Sequence, residues 1–283
     1  MKTLAEKNRF FLTITGLAVL YIIVFFPVWK SLVQAWQSSE EYSHGFLILP
    51  ISAYIIWKKR ETLRAIPARG SRLGIPLILI SLFLYVFGFY GEIATLSSLS
   101  LLFCLISIVL FLFGFPILKE LSFPLAVLFF MIPVPAQIYS ALTIPLQLFV
   151  SKISVDGLQL LGISIYREGN VIHLADQKFQ VVQACSGLRS MVSLLVLSAV
   201  FGYLTLRSNP LRFVLFLTGI PASILVNVFR VVLMILAYHF FHFDLTEDPV
   251  HTVFGVAIFF LAIVIIAAAK GALEIWDRSD TKK

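Results

Sequence analysis

Apolar residues run in long, nearly unbroken stretches, and polar residues are confined to short segments between them. Eight runs, at about 10–29, 44–57, 73–90, 97–113, 121–132, 188–206, 213–230 and 251–269, read as membrane-spanning helices. The second and fifth are short for a hydrocarbon core of about 30 Å, and Tyr42 and Ser43 extend the second. The pattern changes between the fifth and sixth runs. Residues 136–161 keep a helical period but carry Pro145, Lys152 and Asp156, which predicts an interfacial helix or a broken re-entrant one. Ile163–Arg167 and Val171–Leu174 then flank Glu168-Gly169-Asn170, a hairpin signal. A third short run, Phe179–Val182, leads directly to Cys185. With no internal repeat and no linker, the expectation is one domain over 1–283. It is an all-α polytopic membrane protein of about eight helices, with a small hairpin before the cysteine.

Composition agrees with that reading. Of 283 residues, 59% are hydrophobic and 13% charged, against roughly 25% charge in a soluble domain; mean hydropathy is +0.96. The net charge of +7 follows the loops rather than a patch or stripe, so it does not point to nucleic acid. The first apolar run is long enough to span and lacks a small-residue cleavage site, so no cleavable signal peptide is expected.

Basic residues set the orientation. With the N-terminus inside, the inner segments hold Lys2, Lys7 and Arg9, the cluster Lys58–Arg72, Lys119, Arg207, Arg212, Lys270, Arg278, Lys282 and Lys283, which is sixteen of the 22 Lys and Arg. Both termini are therefore expected in the cytoplasm, and residues 133–184 outside.

That threading brings three separated residues to one surface. Cys185, in Ala184-Cys185-Ser186-Gly187, opens the sixth span at its outer end. From Phe213 to Arg230 a helix rises about 27 Å, close to the membrane thickness. Asp248 and Pro249 read as a helix start and put His251 in the opening turn of the last span. A thiol, a guanidinium and an imidazole at one depth suit a cysteine nucleophile. Each also has a plainer reading: a small buried hydrophobe for Cys185, a snorkelling charge for Arg230 and an interfacial ring for His251. A helix N-terminus favours the thiolate. Arg189 shares the face of Cys185 and could lower the thiol pKa, or could bind lipid phosphate instead; Asn227 lies one turn before Arg230. Glu247 and Asp248 could orient His251, and His173 is an alternative base. His239 and His242 read as part of an aromatic belt, and Cys104 as mid-span packing. The histidines lack metal-site spacing, so neither metal nor cofactor is expected.

Several of these stretches resemble the exosortase family, bacterial relatives of the archaeosortases. Ala184-Cys185-Ser186-Gly187-Leu188-Arg189 is similar to its cysteine motif, Asn227-Val228-Phe229-Arg230 to its arginine motif, and His251 to its third site. Tyr42-Ser43-His44-Gly45-Phe46, Pro50, Trp57–Arg60 and Arg167–Ile172 also resemble the family, and the similarity covers about residues 10–270. The resemblance implies a membrane cysteine transpeptidase or protease with Cys185, Arg230 and His251 as its catalytic set, supported by Arg189, Asn227, Ser186 and Gly187. Implied partners are exported proteins ending in a short motif (commonly Pro-Glu-Pro), a transmembrane helix and a basic tail. Polysaccharide-assembly proteins are implied nearby, in a bacterial inner membrane with the site at the periplasmic face. The residues alone reach only a thiol enzyme at the outer face acting on something membrane-bound. A transporter or polysaccharide-assembly subunit, or a membrane thiol acyltransferase, are the rival classes.

Overall fold

The computed structural model describes residues 4–39, 41–181, 188–246 and 249–280, and the side chains of 4–11, 188, 189 and 278–280 are not described. Cys185, Ser186, Gly187, Glu247 and Asp248 lie outside the described residues, as does the side chain of Arg189. The chain forms two compact units, Met1–Pro135 and Ala136–Lys283.

In the first unit, α1 (Leu4–Val24) and α2 (Phe26–Ser38) meet at a bend of 61° instead of forming one continuous span over 10–29. Pro27 is the reason: it has no N–H for the carbonyl four residues back, so the α1 ladder stops at Val24. The buried Phe25 fills the elbow, its ring against Tyr21 and Tyr85. Helices α3 (Gly45–Lys58), α4 (Arg60–Ala65), α5 (Gly74–Tyr90) and α6 (Ala94–Glu120) follow. Helix α6 kinks at Gly114, where φ is +80° and an added Cβ would lie 1.9 Å from the Arg69 carbonyl oxygen. Only glycine satisfies both conditions.

The expected fifth span is instead α7 (Ser122–Val127) running into a 3₁₀ turn (Leu128–Met131). Its ten residues extend only about 17 Å, too short to cross alone. Pro133 and Pro135 end the helical pattern and leave carbonyls unpaired. Side chains supply the missing donors. Trp36 Nε1 donates to Met131 (2.9 Å), His44 Nε2 to Phe130 (3.1 Å), Thr95 Oγ1 to Pro133 (3.1 Å), Tyr42 OH to Val134 (3.2 Å) and Ser52 Oγ to Pro124 (3.0 Å).

The second unit begins with α8 (Ala136–Leu160), one continuous helix through Pro145. The expected alternative of a broken re-entrant element is corrected by that continuity, and α8 is also longer and more apolar than the expected interfacial helix requires, enough to cross a membrane. The three-stranded antiparallel sheet follows: β1 (Tyr166–Glu168), β2 (Val171–His173) and β3 (Lys178–Gln180), in the order β1-β2-β3. The β1–β2 turn places Gly169 at φ +62°, the left-handed position for which a hairpin selects glycine. Helices α9 (Leu188–Thr205), α10 (Asn209–Phe241) and α11 (Val250–Asp280) complete the unit.

Two cores hold this unit. Leu194, Leu215, Val226, Ile258 and Ala262 join α9, α10 and α11. Val155 and Leu158 of α8, Ile172, Phe179 and Val181 of the sheet region, and Val231 and Ile235 of α10 form the other. At the far end of the helices, the Asp277 carboxylate accepts the backbone N–H groups of Arg207 (2.8 Å) and Ser208 (3.1 Å), fixing the α9–α10 turn.

Among the described residues four helices are long and apolar enough to span, or five when the bent α1–α2 pair counts as one span. Four shorter apolar helices accompany them. The chain is a multi-pass, essentially all-α membrane protein, with one small sheet.

Candidate functional site

Helix α10 does not end at Arg230. It continues to Phe241, where His242 takes a left-handed capping conformation (φ +48°). Arg230 is therefore inside a long helix, next to Val231 of the sheet-side core and one turn from Val226 of the three-helix core. The chain then returns through residues 242–249, and α11 starts at Val250, which puts His251 in its first turn as the sequence predicts. The return brings the two side chains together: Arg230 Nη2 lies 2.6 Å from His251 Nε2.

The donor in that contact is fixed by chemistry. A guanidinium has no acceptor, so His251 Nε2 accepts through its lone pair and the ring carries its proton on Nδ1. Gly255, one turn along α11 on the same face, makes room for the pair. An added Cβ there would lie 3.5 Å from Arg230 Nη2. Arg230 Nε is buried and has no hydrogen-bond partner among the described residues. An unmet buried donor of this kind costs on the order of 1–3 kcal/mol.

A cleft of about 290 Å³ opens beside His251. Residues 177–181 line one side, Val231, Met234 and Ile235 of α10 the other, and Thr246 and His251 complete the wall. Val181, the last described residue before the cysteine segment, is held twice by Asn170. Its N–H donates to the Asn170 carbonyl (2.8 Å), and Asn170 Nδ2 donates to its carbonyl (3.0 Å). The Asn170 amide also reaches Gln147 Oε1 on α8 (3.4 Å).

This pairing of arginine and histidine falls within a stretch shared with a known family. The model of the family described as Transmembrane exosortase (Exosortase_EpsH) matches residues 36–268. The chain belongs to that family. No curated protein and no solved structure matches it. The family match runs across both compact units and includes the cysteine segment, Arg230 and His251.

Within this exosortase family member, the other sequence candidates divide as follows. Asn227 is buried on α10, one turn before Arg230. His173 is also buried, its ring stacked on Tyr166 at 4.5 Å and its Nε2 3.5 Å from Glu168, a structural position within the sheet. His239 packs edge-on against Phe240, and His242 against Tyr238. Cys104 is a buried free thiol inside α6. Among the described residues no three His, Cys, Asp or Glu side chains converge as a metal site needs.

Sequence reasoning missed Gly255, Asn170 and the cleft. A glycine four residues after a candidate histidine marks an open strip on that helix face, a usable signal. Asn170 read as a turn residue and as part of the Arg167–Ile172 resemblance, with no contact assigned to its side chain. The cleft has no local signal, because it forms between a strand and a helix fifty residues apart in sequence.

Proposed function

We propose that this exosortase is a membrane cysteine transpeptidase or protease that cuts exported proteins near a C-terminal sorting signal, with Cys185, Arg230 and His251 as its catalytic set. The observation that carries the reading is the 2.6 Å Arg230–His251 contact in a family member, beside a cleft lined by His251 and by Val181, the last described residue before the cysteine segment. Helix register supports the third member. Gly219 of α10 packs against Leu194 and Leu195 of α9, and Gly202 of α9 against Arg212 and Leu215 of α10, so the two helices run antiparallel. Counting back from Leu194 to the start of α9 at Leu188 matches counting forward from Gly219 to about Val226, one turn short of Arg230. Cys185 precedes Leu188 by three residues.

In this mechanism the Cys185 Sγ attacks the scissile carbonyl carbon, and its proton passes to His251 Nε2. That lone pair is held by Arg230 in the resting site. As charge develops on the carbonyl oxygen, the guanidinium shifts its hydrogen bonds to the oxyanion and frees Nε2 to take the proton. The tetrahedral intermediate collapses, the C–N bond breaks and the leaving amine takes the proton from His251. A thioester remains on Cys185, and water or an acceptor amine resolves it. The unmet Arg230 Nε gives the substrate a second donor. Arg189, Asn227, Ser186 and Gly187 support the site. Polysaccharide-assembly proteins are neighbours rather than substrates, and no nucleic acid is involved.

A multi-pass threading in which α8 replaces residues 121–132 as the fifth crossing, with both termini cytoplasmic and the site at the periplasmic face of the inner membrane, belongs to the same proposal. It rests on the basic loops. The two units act as one enzyme, since the family match bridges them.

Co-expression with an exported protein carrying a short motif, a transmembrane helix and a basic tail tests the proposal. Wild-type enzyme should shorten that protein at its C-terminus and Cys185→Ala should not. Equal maturation by both, or a lipid thioester on Cys185 in place of a protein one, would sink it.

A further inference from the structure

Strand β3 is an edge strand, and its register fixes which of its backbone groups are free. Val181 pairs with Asn170 and Leu174 with Gln177 through short N–H···O bonds, both 2.8 Å. Antiparallel pairs alternate, so Phe179 is the residue of β3 that bonds to β2, opposite Ile172. Lys178 and Gln180 therefore turn their N–H and C=O groups away from the sheet, and no described residue pairs with them. The cleft runs along this side. It is lined by five consecutive residues, 177–181, which is how a strand presents itself along an edge rather than by one face.

We infer that the substrate binds as an extended peptide, adding a fourth strand to β3 through the backbone of Lys178 and Gln180, with alternate side chains against Val231, Met234 and Ile235. This rests on the peptide-processing function proposed above and specifies how that site takes its substrate. Main-chain bonds to one sheet edge are the mark of this recognition mode. Lys178 and Gln180 stand about 7 Å apart along the strand, so a single peptide residue can satisfy the inner pair of groups and its neighbours the outer ones. The cleft also selects by charge. Lys178 and His251 line it, Arg230 contacts His251, and no described lining residue is acidic, so the strand that fits is neutral or acidic rather than basic. The edge ends at Val181, four residues before Cys185 in sequence.

Backbone substitution in the substrate tests this without touching the fold. The probe is a synthetic peptide covering the segment cleaved from the co-expressed protein, with each amide N–H replaced in turn by an ester oxygen. Wild-type enzyme should lose about three- to tenfold in kcat/KM at alternate positions and little between them. In the enzyme, Gln180→Pro and Lys178→Pro remove an outward N–H while leaving the Phe179–Ile172 pair intact. Each should lower kcat/KM similarly, with an unchanged rate of Cys185 alkylation by iodoacetamide showing that the site is formed. Uniform ester tolerance, or a three- to four-residue period indicating a bound helix, overturns strand addition while processing itself survives. Wild-type enzyme that cuts no such peptide and matures no co-expressed protein overturns the functional reading, and strand addition with it.

Discussion

Arg230 and His251 meet at 2.6 Å although Arg230 sits well inside α10 and His251 opens α11. The eleven residues of α10 beyond Arg230 carry it about 16 Å farther, and the sheet packs on that extension through Ile172, Phe179, Val231 and Ile235. The pair is half-buried, at the level where α11 begins. In the proposed mechanism that position would let Arg230 lend its charge to a developing oxyanion, an interaction that partial burial strengthens.

Arg230→Lys separates charge from shape. Lys keeps the charge but lacks the planar fork that can bind His251 and a substrate oxygen together. Turnover should fall by about 10²–10³ with membrane insertion and abundance unchanged. Processing measured beside protein level checks it, and near-wild-type turnover removes Arg230 from the catalytic set.

Gly255 should be sensitive to size alone. Its Cβ position lies 3.5 Å from Arg230 Nη2, an ordinary contact, so Gly255→Ala should process normally. Gly255→Leu has no room for its further carbons and should push the guanidinium off His251. A displacement of about 1 Å can cost on the order of 10² in rate. Equal activity of the two variants would show that the pair needs no open strip on α11.

The parts legible in the sequence are those with a local cause. The Gly169-Asn170 turn specifies its own hairpin, and Pro249 immediately precedes the helix that carries His251. What the sequence hid depends on partners far along the chain. Residues 121–132 are apolar enough for a span, yet Pro133 and Pro135 stop the helix, and the carbonyls are taken up by Trp36, His44 and Tyr42 from another segment. The Tyr42–Gly45 motif thus serves the fold, and Gly45 itself lies so close to Trp36 that an added Cβ would fall 2.3 Å from its Nε1. The span drawn to Arg230 ends too early, because apolar sequence continues beyond it and α10 runs on through residues that pack against the sheet.

Thiol labelling reads out the topology. A membrane-impermeant maleimide should modify Cys185 in intact spheroplasts, and cysteines placed singly at positions 58–72 should react only after lysis. Cys104 is buried in α6 and should stay unmodified; Cys104→Ala should process normally, apart from some loss of protein level through its packing defect. Labelling of the 58–72 segment from outside would reverse the orientation and with it the periplasmic site.

Asn170 links the hairpin to the chain entering the cysteine segment, and its side chain does so with a donated hydrogen bond. Asn170→Ala removes the Nδ2 bonds to the Val181 carbonyl and to Gln147 Oε1 but leaves the backbone bond between Asn170 and Val181. Stability should fall by about 1–3 kcal/mol, the usual worth of two such bonds. If Val181 positions Cys185, processing should fall about tenfold, well beyond the change in folded protein. Asn170→Asp should do no better, because a carboxylate cannot donate and would face the Val181 carbonyl with like charge. Parallel thermal unfolding and turnover decide the matter: activity that tracks the folded fraction alone would make Asn170 a fold residue only.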